Sequence, residues 1–133
     1  MNVDFPGAVP EMPVRDIDEA ATYYEQSLGF TVDWRGEELG LAGISRGDCR
    51  LFLANAAYRA AHGTVGPVLI WLNLKSKGEV DELYRLWSSS QTKMIAEPES
   101  KPWGLHEFTA QDLDGNLLRV FHDFGTPRSR NEG

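Results

Sequence analysis

One local signature occurs twice in this chain, and it dictates most of what the chain can become. Asp16-Ile17-Asp18-Glu19 and Ser76-Lys77-Gly78-Glu79 both read as capping boxes. In each, the first side chain accepts from the opening turn of a helix and the glutamate reaches back. Ahead of each box stands a strand: Gly7 to Val14, broken by Pro10 and Pro13, and the apolar run Val68 to Leu74. Proline cannot donate to a ladder, so the first of these belongs at an edge or a crossing point. Behind each box runs an amphipathic helix. Ile17, Ala20, Ala21, Tyr24 and Leu28 make the first stripe, ended by Gly29, and Val80, Leu83, Tyr84 and Trp87 make the second.

After the first helix come three strands: Phe30 to Trp34, Leu39 to Ser45 and Cys49 to Ala54. The turns between them fall at Arg35 to Glu38 and Arg46-Gly47-Asp48. After the second come a weak strand at Lys93 to Ala96, a loop holding Pro98 and Pro102, and a hairpin. That hairpin places Leu105 to Gln111 and Leu117 to His122 around Asp114-Gly115, read as a two-residue turn. His106, Phe108 and Ala110 share one side of its first strand, with Glu107, Thr109 and Gln111 on the other. The order is therefore β-α-β-β-β twice, over about 7–56 and 67–123. Ala56 to Gly66 forms the join, a loop with room for one helical turn, and 124–133 follow as a tail. Neither half can cover both faces of its own sheet. The expected fold is α+β: a single domain of two βαβββ modules whose four-stranded sheets form a curved mixed sheet around a cleft.

Charge and cysteine content narrow the function. The net charge is −7 over 133 residues, which argues against nucleic acid and anionic membranes as partners. The one cysteine, Cys49, excludes an internal disulfide and a cysteine zinc site. No apolar run approaches the roughly 20 residues of a spanning helix, and the first residues lack the features of a signal peptide. A cytoplasmic location is expected. There is no glycine-rich phosphate loop, and the acidic pairs Glu37-Glu38 and Glu97/Glu99 read as solvated loops.

The four tryptophans divide by context. Trp87 lies on a helix stripe and belongs to a core. Trp71, in an apolar strand, fits a core or a cleft floor. Trp34 and Trp103 are flanked by charged or turn-forming residues, where a large ring must pack or bind something. Alternation puts Trp34 on the face of Val32 and Phe30.

With these pieces assembled, the chain resembles the vicinal oxygen chelate superfamily of glyoxalases, extradiol dioxygenases and bleomycin resistance proteins. It is most similar to the bleomycin resistance proteins. The resemblance is carried by Pro10–Asp18, Tyr23–Phe30, Ser45–Phe52, Asp81–Trp87, Lys101–Gly104, His106–Phe108 and Asp114–Arg119. It implies a strand-swapped homodimer that sequesters a planar, cationic antibiotic of the bleomycin type in clefts between subunits, without catalysis and without a cofactor. It further implies a ligand site lined by Trp34, Leu41, Phe52, Trp71, Trp103, Gly104, Phe108 and Arg119.

The superfamily's enzymes hold a divalent metal with His and Glu from four strands. Those positions fall here near Val9, Leu51 or Leu53, Leu69 and Arg119, none of which ligates a cation well. Glu11 comes within reach if the register shifts by one. His62, His106 and His122 are scattered, so no metal site is expected. The alternatives are a metal-dependent lyase, isomerase or dioxygenase of this fold, and a binding protein for another aromatic metabolite.

Overall fold

The computed structural model describes residues 7–36, 38–60 and 66–125. Glu37 and His62 therefore lie outside the described residues, as does most of the 124–133 tail. The elements run β1 (Glu11–Pro13), α1 (Ile17–Gln26), β2 (Thr31–Gly36), β3 (Leu41–Arg46), β4 (Cys49–Ala54), α2 (Ala56–Arg59), β5 (Leu69–Asn73), α3 (Lys77–Ser89), β6 (Lys93–Ser100), β7 (Leu105–Gln111) and β8 (Leu117–Asp123). They form two four-stranded sheets in the orders β1-β4-β3-β2 and β5-β8-β7-β6. In both, the strand before the helix pairs parallel with the last strand of its module and the remaining pairs are antiparallel. The doubled βαβββ order read from the capping boxes is the observed one, and the proline-bearing β1 is an edge strand.

Each helix carries the N-cap half of its box, but among the described residues neither glutamate side chain bonds back to the N–H of its cap residue, and Glu79 Oε1 accepts from Lys75 N at 2.9 Å instead. Asp16 Oδ1 accepts from Glu19 N at 2.9 Å, and Ser76 Oγ accepts from Glu79 N at 3.1 Å. The first helix ends at Ser27, and Gly29 follows at φ +77°. One core serves both modules. Tyr24, Leu28, Ile44, Leu51 and Leu53 from the first bury against the same cluster as Val80, Trp87, Phe108, Leu118 and Val120 from the second.

Polar side chains lock the modules together. Tyr24 Oη donates to Asp112 Oδ2 at 2.9 Å, Asn116 Nδ2 donates to Pro13 O at 2.9 Å, and Trp87 Nε1 donates to Leu28 O at 3.1 Å. Each donor is buried and would cost free energy if left unpaired.

Three expectations are corrected. The β7–β8 connection is not a two-residue turn at Asp114-Gly115. It spans residues 112–116, because Asp112 Oδ1 accepts from both Asp114 N and Asn116 N and organises a wider loop. Only Gly115 takes positive φ there, at +85°. The weak strand is longer than expected and contains Pro98, which β6 tolerates because it is the sheet edge and its register slips between Ala96 and Glu99. Finally, β2 carries a bulge between Val32 and Trp34. Val32 pairs with Ile44, which faces the core, whereas Trp34 pairs with Gly43 on the opposite face. Trp34 therefore does not share a face with Val32, because the extra residue resets the alternation.

Candidate functional site

Since the helices cover one face of each sheet, the side chains of the other face identify themselves by register. In β3, Ala42 and Ile44 are buried toward the core, so Leu41, Gly43 and Ser45 face away. The pairing Glu11↔Phe52, Phe52↔Gly43 and Gly43↔Trp34 then draws one row across the first sheet. Trp34 lies over Gly43, where a Cβ would collide with the indole. Its ring meets Phe52 edge-on, with centroids 5.6 Å apart. The indole remains 38% exposed. Leu41, half-buried, lies on the same face one pair further along.

The second sheet presents a matching row. Leu118 and Val120 are fully buried, so Leu117, Arg119 and Phe121 face away, as do Glu107 and Thr109 on β7 and Trp71 on β5. Trp71 pairs with Arg119, which pairs with Thr109. The guanidinium carbon of Arg119 lies 5.0 Å from the Trp71 ring centroid, a cation–π contact. Phe121 meets the same indole edge-on at 5.4 Å. Arg119 Nε donates to Thr109 Oγ1 at 3.2 Å and lies 3.9 Å from Glu107 Oε1. Trp103, 51% exposed, donates from Nε1 to Glu107 Oε2 at 3.3 Å. Glu107 is thus a buried carboxylate tying Trp103 and Arg119 into one wall. Gly104 positions Trp103 at the entry to β7. It takes φ +90°, its N–H donates to Lys101 O at 3.0 Å, and its carbonyl accepts from Phe124 N at 2.9 Å.

Seven of the eight expected site residues thus fall on, or directly position, the two uncovered faces. Trp34, Leu41 and Phe52 belong to one sheet, and Trp71, Trp103, Gly104 and Arg119 to the other. Phe108 is the exception and is corrected. It points to the helix side, fully buried, with Tyr84 and Trp87 edge-on at 5.5 and 5.7 Å.

Glu107, Gly43 and Phe121 were not singled out from sequence. Only Gly43 carried a usable signal, since a glycine inside a strand marks a close approach. The polar groups of the two faces carry both signs. Glu11 lies 3.7 Å from Arg59, and Glu107 lies near Arg119, so the surface is mixed rather than uniformly acidic.

The donor set does not fit a divalent cation. Leu51 and Leu53 turn out to face the core, so β4 presents Phe52 to the open face, beside Glu11. On the second sheet the corresponding strands present Leu69, Trp71 and Arg119. A guanidinium repels a metal ion and indoles do not ligate one. Among the described residues, no three His, Cys, Asp or Glu side chains converge.

A family model described as the glyoxalase/bleomycin resistance protein/dioxygenase superfamily matches residues 8–120. The chain belongs to that superfamily. It is 31% identical over 124 residues to a bleomycin resistance protein of Klebsiella pneumoniae, covering 87% of this chain and 91% of the relative. Among solved structures, a glyoxalase/bleomycin resistance protein/dioxygenase from Nocardioides superposes with TM-score 0.76 at 19% identity, covering 95% of this chain and 90% of the other. A lactoylglutathione lyase from Agrobacterium tumefaciens superposes with TM-score 0.72 at 20% identity, covering 88% and 94%. The superfamily thus joins binding proteins and enzymes on one fold, and the choice between them rests on the residues of the open faces. Among the described residues, no helix is long and apolar enough to cross a membrane.

Proposed function

We propose that this protein is a non-catalytic binding protein that sequesters a planar antibiotic of the bleomycin type. The ligand stacks between the indoles of the two open sheet faces, and the protein acts as a homodimer in which the first sheet of one copy faces the second sheet of the other. The observation that carries this reading is the state of three tryptophans. Trp34, Trp71 and Trp103 are 38%, 47% and 51% exposed, on faces that none of the described helices covers. Large rings left in water are costly unless a partner or ligand covers them. All three are held in place by neighbours rather than left free: Trp34 over Gly43, Trp71 by Arg119 and Phe121, and Trp103 on Glu107.

The similarity to a bleomycin resistance protein supports the ligand class. Stacking on planar rings contributes about 0.5–1.5 kcal/mol per pair beyond area burial, so two walls add usefully to affinity. The reading contains no bond-making step, and it places Trp34, Leu41, Phe52, Trp71, Trp103 and Arg119 at the ligand. A cytoplasmic location belongs to it as well.

The test is a titration of bleomycin into the protein while following tryptophan emission, with a sizing column run beside it. Saturable quenching at micromolar drug by a dimeric species is the expected result. A monomer without quenching would remove the composite cleft and the antibiotic together.

A further inference from the structure

Arg119 stands out on the second open face because its charge is placed but not used up. Its Nε is bound by Thr109 Oγ1 at 3.2 Å, and its guanidinium is stacked over Trp71 at 5.0 Å. The carboxylate nearest to it, Glu107 Oε1, lies 3.9 Å from Nε, beyond hydrogen-bond distance, while the other Glu107 oxygen accepts from Trp103. Among the described residues, no hydrogen bond is formed by either terminal nitrogen of Arg119. The side chain keeps 30% of its surface exposed, so those donors are reachable from the open face. A guanidinium oriented through Nε and by an indole, with its terminal fork free, is preorganised for bidentate recognition of oxygen.

We propose that Arg119 binds an oxygen acceptor attached to the ligand's planar ring, a carboxylate or the carbonyl of a ring carboxamide, while the ring itself stacks on Trp71 or Trp103. The ligand class is thereby narrowed from any flat aromatic compound to one carrying such an oxygen in the ring plane. Thr109 is a positioning residue in this arrangement, because it fixes the direction of the fork without reaching the ligand. The inference rests on the stacking site proposed above, but it does not depend on the antibiotic assigned to it.

The probes are 2-phenylthiazole-4-carboxylate and 2-phenylthiazole, which share the ring and differ in the acceptor. Binding is read by calorimetry and tryptophan quenching, with bleomycin measured in parallel. The carboxylate should bind at least about tenfold more tightly than the bare ring, as a charge-assisted pair requires. Arg119→Gln should erase that ratio, bringing the two probes to the same affinity. Thr109→Val keeps the charge and should reduce the ratio only in part, and Arg119→Lys should restore part of it, so the test survives a poorly folding Arg119→Gln. Equal affinity for the two probes, or a ratio that persists in Arg119→Gln, overturns the inference even if bleomycin binds. Discrimination between the probes without bleomycin binding upholds Arg119 and removes the antibiotic reading. Failure of both probes and of bleomycin overturns the two together.

Discussion

Trp103 Nε1 donates to Glu107 Oε2 across 3.3 Å, from an exposed indole to a carboxylate that is only 7% exposed. The loop before β7 would otherwise leave that ring free to rotate, and the bond restricts it. Replacing Glu107 by Leu keeps the volume but removes the acceptor. The protein should remain folded, because the two groups that lose their partner, Arg119 and the Trp103 indole, are both partly exposed and can turn to water. Ligand affinity should fall by roughly tenfold, since an unrestrained Trp103 must be ordered on binding. Calorimetry on Glu107→Leu against wild type checks this, with a thermal melt to show that the fold persists.

The Trp34 wall depends on an absent side chain. A Cβ at Gly43 would strike the indole, and the atoms it meets belong to an exposed ring rather than to backbone. Gly43→Val should therefore cost little stability, within about 1 kcal/mol, because β-branched residues suit a strand and the indole can swing outward. Binding should suffer much more, as Trp34 leaves Phe52 and tilts off the sheet. The expected pattern is an unchanged urea midpoint with weakened tryptophan quenching by bleomycin. Full binding in this variant would count against Trp34 as a stacking wall.

Asp112 accepts four hydrogen bonds, from Tyr24 Oη, Asp114 N, Asn116 N and Asn116 Nδ2. It organises the β7–β8 loop and holds the two modules together through Tyr24. Asp112→Ala strips the acceptor from buried donors, each worth about 1–3 kcal/mol when left unsatisfied. The loss should reach roughly 3 kcal/mol or more, a large part of the 5–15 kcal/mol typical of a domain. Urea unfolding monitored by circular dichroism would measure it. Asp114→Ala removes the acceptor of Arg15 N and Nε, at 2.9 and 2.8 Å, and should cost less, about 1–2 kcal/mol.

How much of this was visible in the sequence follows from the range of the interactions. Capping boxes and helix stripes are local, so Asp16, Ser76 and the apolar residues behind them announced both helices and the doubled module. The order of elements along the chain followed from the repeat. What stayed hidden depended on contacts distant in the chain. The bulge at Val32/Trp34 moved Trp34 to the open face, and nothing near residue 33 signals that shift. Asp112 widened a loop that Asp114-Gly115 alone would have closed more tightly. Phe108 was expected at the ligand through the family resemblance alone, yet α3 covers it with Tyr84 and Trp87. Alternation placed Glu107 on one side of its strand with Thr109 and Gln111, and its role becomes apparent only when β8 brings Arg119 beside it.

Cys49 begins β4 and is half-buried, and burial pushes its thiol above the ordinary range. The thiolate is the reactive form, so this cysteine should react slowly with a disulfide reagent at pH 8 in the native protein. Denaturation in urea should bring the rate up to that of a free thiol. Fast native labelling would show that the β3–β4 turn opens more readily than its packing implies.

Alkaline pH probes the lock between the modules. Tyr24 is fully buried, and desolvation, followed by the neighbouring Asp112 charge, holds its phenol well above the ordinary value of about 10. The folded state therefore keeps the proton after the unfolded chain has begun to lose it. With fewer protons bound in the unfolded state, stability falls as pH rises. The contribution is intact below pH about 10 and is lost between there and the folded-state value, at up to about 1.4 kcal/mol per pH unit. Tyr24→Phe removes both the hydrogen bond and the titration. It should cost about 1–2 kcal/mol at pH 7, where the donor to Asp112 disappears. Above pH 10 the gap between wild type and Tyr24→Phe should narrow, because only wild type pays the proton linkage at this site. Urea midpoints for both proteins from pH 7 to 11 would measure the difference directly. A gap that stays constant or widens through pH 11 would mean that Tyr24 is not held neutral by its burial against Asp112.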